Sequence, residues 1–331
     1  MSIDNSTRPG EAAADLAAVA ALLEIAEELG VSPLLDRAEP FTVDDIAAVA
    51  AAPRQNCAEF VKALNAAGLV DRIGDSHQFM PCSNMADLRY ESGYVLWAMN
   101  ANRPYIENAL EFLRDPDGAA RKYGRDGRWV ATSSRWVGSQ GFYPHAFSEI
   151  VNFQPAKVAD LGAGAGGLLI HLLRTLPDSV GTGIDMSSAA CEEARCAAER
   201  AGVADRLNVV NRRIESLVDD PSPLEGADVV HAGFVMHDVV GDVEMFMALL
   251  RTCRAATAKG CRLVVTDAMP YVPTSRERTF SALFTYLHAS SMNVRLPTEE
   301  QWYAMFRRAG YAEIRCVPHR MPAARMFVVS G

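Results

Sequence analysis

Two neighbouring residues carry the most evident chemistry of this chain. His237 and Asp238 stand together in the segment F-V-M-H-D-V-V, just after an apolar run that reads as a strand. An imidazole titrates near neutral pH, so His237 can take the proton of a weakly acidic hydroxyl. A third residue, His288, lies in the helix-like run F-T-Y-L-H-A-S-S-M-N. On such an apolar face a lone histidine is more often a satisfied core residue than a ligand. If that helix covers the same pocket, His237, Asp238 and His288 supply two imidazoles and one carboxylate. That set suits an Fe(II)- or Zn(II)-like centre with open positions. His237 also keeps a purely structural reading, as a histidine that bonds its neighbouring aspartate and holds a helix start.

These residues are positioned by a second stretch, K-V-A-D-L-G-A-G-A-G-G-L-L-I-H-L-L-R-T-L-P-D-S-V-G-T-G-I-D-M, from Lys157 to Met186. Residues 158–161 are a short apolar run that suits a buried parallel strand. Gly162, Gly164, Gly166 and Gly167 then allow a tight turn and let a ligand approach bare backbone. Residues 168–176 follow as an apolar helix whose N-terminal N–H groups face that turn. Residues 180–184 are the next strand, and Asp185 at its tip is placed to accept hydrogen bonds from two ribose hydroxyls. A glycine turn of this sort serves NAD, FAD or S-adenosylmethionine, or is only a tight turn. No G-x-x-x-x-G-K-[ST] phosphate loop is present.

Strands at 207–210, 227–232, 261–267, 312–317 and 325–329 alternate with helices at 189–201, 275–292 and 299–309. This is the pattern of an α/β chain with a Rossmann-like seven-stranded sheet. Ligands bind at the carboxyl ends of such strands, where His237 sits. Ahead of it, residues 11–29 have helical periodicity, and Thr42 with Asp45 makes a capping-box start for a helix at 46–51. Pro53 opens another helix, with Cys57, Phe60, Val61 and Leu64 on one face. Residues 69–73 and 77–80 alternate about Gly74-Asp75 as a hairpin. Helix, helix, hairpin is a winged-helix pattern. Its bases are Arg54, Lys62 and Arg72; its acids are Asp44, Asp45, Glu59, Asp71 and Asp75. A DNA-reading helix needs a positive face, so a dimerisation domain is expected instead.

The expected division is a winged-helix dimerisation domain at 1–83, a helical connector at 84–150 and a catalytic domain at 151–331. The connector is rich in aromatics and arginines. Trp97, Tyr143 and Arg121 are its candidates to line an acceptor pocket, Arg121 for a carboxylate. The net charge of −9 argues against general nucleic-acid binding. No run of 18 apolar residues reads as a membrane span. The opening M-S-I-D-N-S-T-R-P-G-E has no basic and apolar leader. Seven scattered cysteines without a C-x-x-C fit reduced thiols in a cytoplasm.

The order D-L-G-A-G-A-G-G, with Asp160 ahead of the first glycine, resembles the first motif of the class I S-adenosylmethionine-dependent methyltransferases. With a winged helix before it, the whole chain is similar to the plant- and antibiotic-type small-molecule methyltransferases, which implies a homodimer. The resemblance implies S-adenosylmethionine held by Asp160, Gly162, Gly164, Gly166, Asp185, Met186 and Gly233, with Arg213 and Ile214 at the adenine. The family often has an acid where Arg213 stands. In its plant O-methyltransferases an L-H-D-W-like segment supplies the general base, here His237, with Val239 in place of the Trp. The H-D pair and later His also resemble the 2-oxo acid C-methyltransferases of the phenylpyruvate type. That likeness implies one divalent metal, Fe2+ or Zn2+, on His237, Asp238 and His288. It further implies methylation of a small 2-oxo acid at C3 through a metal-stabilised enolate. O-methylation of a phenolic or polyketide hydroxyl and a non-catalytic winged-helix regulator are the alternatives. Asp185→Ala is expected to weaken S-adenosylmethionine binding about tenfold or more; unchanged affinity by calorimetry would remove the anchor of the cofactor reading.

Overall fold

The computed structural model describes residues 9–257 and 260–331; residues 1–8 of the opening read for a leader lie outside the described residues. Two compact units emerge, Met1–Ala109 with Tyr123–Gln140, and Leu110–Lys122 with Gly141–Gly331. Residues of the connector expected at 84–150 occur in both units. The aromatic connector does not form a segment of its own, because its apolar residues are shared out between the two cores.

In the first unit, the helix Pro9–Glu28 precedes a short strand β1 (Phe41–Thr42). Thr42 caps the helix Val43–Ala50: its hydroxyl accepts the Asp45 N–H at 3.2 Å, and the Asp45 carboxylate accepts the Thr42 N–H at 2.7 Å. This is the reciprocal box read from the sequence. Pro53 leads into the helix Arg54–Ala66, which buries Cys57, Val61 and Leu64. The hairpin β2 (Val70–Arg72) and β3 (Gln78–Pro81) completes a three-stranded sheet of order β1-β3-β2. Arg54 pairs with Asp44 and Lys62 with Glu59 on the surface, and Arg72 donates to the Ser76 carbonyl. Each base of this segment thus has an oxygen partner within it.

The second unit is built on a seven-stranded sheet. Its strands are β4 (Lys157–Leu161), β5 (Val180–Asp185), β6 (Leu207–Asn211), β7 (Val229–Gly233), β8 (Arg262–Ala268), β9 (Glu313–Pro318) and β10 (Ala324–Ser330). They lie in the order β6-β5-β4-β7-β8-β10-β9. β4 to β8 are parallel, and β10 runs antiparallel to β8 and β9. Leu161, Ile184, Val230, Val265 and Phe327 pack with Phe246, Leu250, Trp302 and Phe306 of the helices Val243–Ala256 and Glu299–Arg308. Val158, Val229, Val264 and Met326 pack with Ile150, Leu169 and Leu172 of the helices Tyr143–Phe153 and Gly167–Thr175. Burial on both faces explains why these strands read as apolar runs without alternation. No helix among the described residues is long and apolar enough to cross a membrane.

One local expectation fails where it matters. The F-V-M-H-D-V-V segment does not begin a helix. It makes a single tight turn, Met236–Asp238, and the helix starts only at Val243, where Asp242 accepts the Met245 N–H at 3.0 Å. Gly241 and the capping Asp242 interrupt the helical run. Phe327 has no exposure and lies against Trp302, Phe306 and Tyr303, with ring centroids 5.5–5.9 Å apart. Phe327→Ala is expected to cost about 3–5 kcal/mol in urea unfolding; a loss under about 1 kcal/mol would show that this aromatic cluster is not the keystone of the core.

Candidate active site

The glycine turn forms because its chain reverses at the tip of β4 without side chains in the way. Gly162, Gly164 and Gly166 have φ of +70°, +55° and +74°, a region that glycine enters at no steric cost. The Gly162 and Ala163 N–H groups donate to the Ile184 carbonyl at 2.8 and 3.1 Å. Asp185 then pins the turn: its carboxylate accepts the Gly164 N–H at 2.9 Å and the Ser187 N–H at 2.8 Å. A Cβ on Gly162 would come within 2.9 Å of the Val235 side chain, whereas one on Gly164 would meet nothing within 4 Å. Beside this cradle is a cavity of about 100 Å³ bordered by Gly162, Asp185, Met186, Arg213, Ile214 and Asp238. An acid at the strand tip, bare backbone and the apolar Met186 and Ile214 suit a nucleoside-type ligand.

Two expected cofactor residues are also engaged within the sheet. Asp160 is buried, and its Oδ1 lies 2.7 Å from Nδ1 of His231, its register partner on β7. Its carboxylate is therefore spent inside the sheet layer. Gly233, two residues on from His231, leaves room for that ring: a Cβ there would sit 3.1 Å from its Cε1.

His237 is set by the backbone on either side of it. Phe234 has φ +54° although it is not glycine. Its N–H donates to the Thr266 carbonyl at 2.8 Å, which ties the strained residue to β8. The chain then turns back over the tip of β8, where Asp267 is fully buried. Asp267 Oδ1 lies 2.6 Å from His237 Nδ1, Asp267 Oδ2 accepts the His237 backbone N–H at 3.1 Å, and Oδ1 also accepts the Ala268 N–H at 2.8 Å. A carboxylate offers only acceptors, so Nδ1 carries the proton and Nε2 presents a lone pair. Sequence reading missed both Asp267 and His231. The signal was one carboxylate and one imidazole within largely apolar strands, R-L-V-V-T-D-A and V-V-H-A-G.

The metal set expected of His237, Asp238 and His288 is not formed. His288 does meet His237, edge to face with ring centroids 5.2 Å apart. Its Nδ1 donates to the Phe284 carbonyl at 2.7 Å, and Phe284 stacks on it at 4.1 Å. Asp238 Oδ1 lies 3.6 Å from His237 Nε2, but this side chain is 57% exposed and borders the cavity with Asp185. No three His, Cys, Asp or Glu among the described residues converge so as to hold a metal ion. The tight turn, in place of a helix start, sends Asp238 toward the glycine cradle, and Asp267 has taken His237 Nδ1.

The candidate acceptor residues are divided between the two units. Trp97 is buried in the first unit, Arg121 is exposed on the helix Pro116–Lys122, and Tyr143 is half-buried in the second unit. Burial, with the nearby Asp160 charge, pushes the Tyr143 hydroxyl up to about 12. Phe142 packs on Phe234 at 4.7 Å and on Tyr143 at 4.6 Å. On this side His145, His231 and His319 each carry a buried ring nitrogen without a protein partner. The rings of His145 and His319 are 4.6 Å apart. Burial, then the His145, Arg325 and His231 charges, push His319 down to about 3.

Residues 159–263 match the family model described as a methyltransferase domain. The phenazine O-methyltransferase PhzM of Lysobacter antibioticus is 28% identical over 53% of this chain and 48% of its own. The chain thus spans about half the length of that curated relative. Among solved structures, the mitomycin 7-O-methyltransferase MmcR superposes with a TM-score of 0.54 at 20% identity, over 97% of this chain and 95% of that one. PigF with SAH gives 0.60 at 19% identity, over 98% and 100%. Residues 159–263 thus match a methyltransferase-domain model, and the chain shares its Rossmann-like fold with these solved methyltransferases.

His319 is neutral in the folded chain and has an ordinary imidazole pKa, about 6.5, when unfolded. The unfolded chain thus binds the extra proton, and folding stability is lost as pH falls from about 6.5 toward 3, by up to about 1.4 kcal/mol per pH unit. His319→Asn is expected to flatten this acid limb in urea midpoints measured between about pH 7 and pH 5. An unchanged limb would place the effect in another group.

Proposed function

We propose that this chain transfers a methyl group from S-adenosylmethionine to a phenolic or polyketide hydroxyl, with His237 as general base. The observation that carries the reading is the 2.6 Å bond between His237 Nδ1 and the buried Asp267, on the turn beside the glycine cradle. The cofactor, when bound, supplies an electrophilic methyl group. Asp185 and the backbone of Gly162 to Gly166 hold its nucleoside end. His237 Nε2 takes the hydroxyl proton as the oxygen attacks, and Asp267 keeps the ring in the required tautomer and stabilises the imidazolium. Positioned base catalysis of this kind contributes about 10²–10⁴ in rate.

Similarity to phenazine and mitomycin O-methyltransferases supports a flat cyclic acceptor, and the aromatic pair Phe142 and Phe234 supplies apolar surface for one. The 2-oxo acid reading recedes because its enolate needs a cation, and Asp238 does not join the two histidines as a third ligand. The winged-helix topology of the first unit supports a homodimer, and its paired bases argue against DNA as a partner. None of the seven cysteines is in a disulfide, in keeping with a reducing cytoplasm.

The test is methyl transfer, followed by mass spectrometry, to a panel of phenolic acceptors and 2-oxo acids with and without a chelator. Methylated phenols and indifference to the chelator are expected. Methylation of 2-oxo acids alone, lost on chelation, would overturn the proposal. His237→Ala and Asp267→Asn are expected to lower kcat about 10²–10⁴-fold while S-adenosylhomocysteine binding stays within about twofold. Full turnover in His237→Ala would remove it as the base.

A further inference from the structure

We propose that Met186 is an oxidation site that controls the cofactor cavity: conversion of its thioether to the sulfoxide by a peroxide weakens binding of the nucleoside ligand. This rests on the S-adenosylmethionine reading above. Met186 stands between the end of β5 and the helix Ser188–Arg200. Its backbone is held on both sides. The Asp185 carboxylate accepts the Ser187 N–H at 2.8 Å, and the Ser187 hydroxyl accepts the Ala190 N–H at 3.2 Å. In that turn Met186 borders the cavity with Ile214, Val235 and Val239, yet it is 66% exposed. A ligand filling the cavity covers this thioether. Without one, small solutes reach the sulfur.

The other sulfurs are less open to an oxidant. Among the methionines of the described residues only Met99, at 47%, is also exposed, and it belongs to the other unit. None of the seven cysteines is exposed. Burial raises the thiol pKa of Cys82, Cys253, Cys261 and Cys316, and a thiol reacts as its thiolate. A thioether needs no ionisation. Its sulfur lone pair attacks one oxygen of hydrogen peroxide. An S–O bond forms, the O–O bond breaks, and the proton of the transferred oxygen leaves with the other oxygen as water. The sulfur is oxidised by two electrons and the peroxide is reduced. The product presents a polar oxygen where the cavity had apolar surface. A ligand covering that oxygen strips it of water. Ile214, Val235 and Val239 offer it no donor in return, and Arg213, the one cation at this border, is paired with Glu215.

The experiment treats the full chain with hydrogen peroxide, maps each methionine by peptide mass spectrometry and measures S-adenosylhomocysteine affinity by calorimetry. Met186 is expected to oxidise at least as fast as Met99. Saturating S-adenosylhomocysteine is expected to slow Met186 about fivefold or more and to leave Met99 unaffected. Complete oxidation at Met186 is expected to weaken binding about tenfold, and methionine sulfoxide reductases to restore it. Met186→Leu is expected to keep its own affinity within about twofold through the same treatment. Equal oxidation of Met186 with and without ligand, or unchanged affinity of the oxidised wild type, overturns the proposal while the cofactor reading stands. So does an equal loss in treated Met186→Leu, which places the damage at another residue. Failure of the untreated wild type to bind S-adenosylhomocysteine overturns the cofactor reading, and the proposal with it.

Discussion

A carboxylate removed from water is tolerated only where its oxygens are occupied, and Asp267, with no exposure, accepts from the His237 ring, the His237 backbone and the Ala268 N–H. The rest of the site depends on this satisfied charge. Asp267 is carried by the last turn of a parallel strand buried on both faces, so it cannot move without the sheet. His237 therefore inherits the rigidity of β8, although it sits in a turn. The left-handed Phe234 follows from the same constraint. To bring His237 over the neighbouring strand tip, the chain leaving β7 must bend at once, and the hydrogen bond to Thr266 holds it in a conformation that costs of order 1–3 kcal/mol.

A second carboxylate–imidazole pair repeats this arrangement one strand over. Asp160 and His231 are register partners on β4 and β7, and both are buried. The pair neutralises polar groups within the layer immediately below the glycine turn. Asp160 leads into Gly162, and His231 leads into Gly233, so the two bare-backbone positions at the top of the sheet rest on one hydrogen bond. The role of Asp160 is thus indirect. It supports the shape of the cradle, while Asp185, whose oxygens hold Gly164 and Ser187, closes the cradle's other edge.

The parts of this molecule that are periodic were legible in its sequence. Strands β4 and β5, the glycine turn and the helix after it fall within about a residue of their expected bounds, because apolar runs and φ-permissive glycines are local signals. The capping box at Thr42 and Asp45 is local too. What failed is non-local. Whether His237, Asp238 and His288 converge depends on a turn of three residues in place of a helix start, and spacing along the chain does not encode that direction. Asp267 went unread because its partner lies on another strand. The connector read at 84–150 is divided between the two units because an aromatic such as Trp97 or Phe112 announces that it will be buried without announcing in which core.

The same geometry separates the two chemistries considered for His237. A hydroxyl of phenolic acidity needs one neutral imidazole with a lone pair aimed at it, and a carboxylate behind the ring to hold the tautomer. Asp267 supplies that carboxylate from inside the sheet, where it cannot also ligate a cation beside the glycine cradle. An enolate route would require the opposite arrangement, with carboxylate and imidazoles facing the same open point. Asp238 is the only acid adjacent to His237 in the chain, and it faces the nucleoside cavity. His288, bonded to the Phe284 carbonyl and stacked under its ring, is held as a wall of the site. The division of labour between the two aspartates, one behind the ring and one toward the cavity, is what supports the proposed proton removal from a hydroxyl over the enolate route.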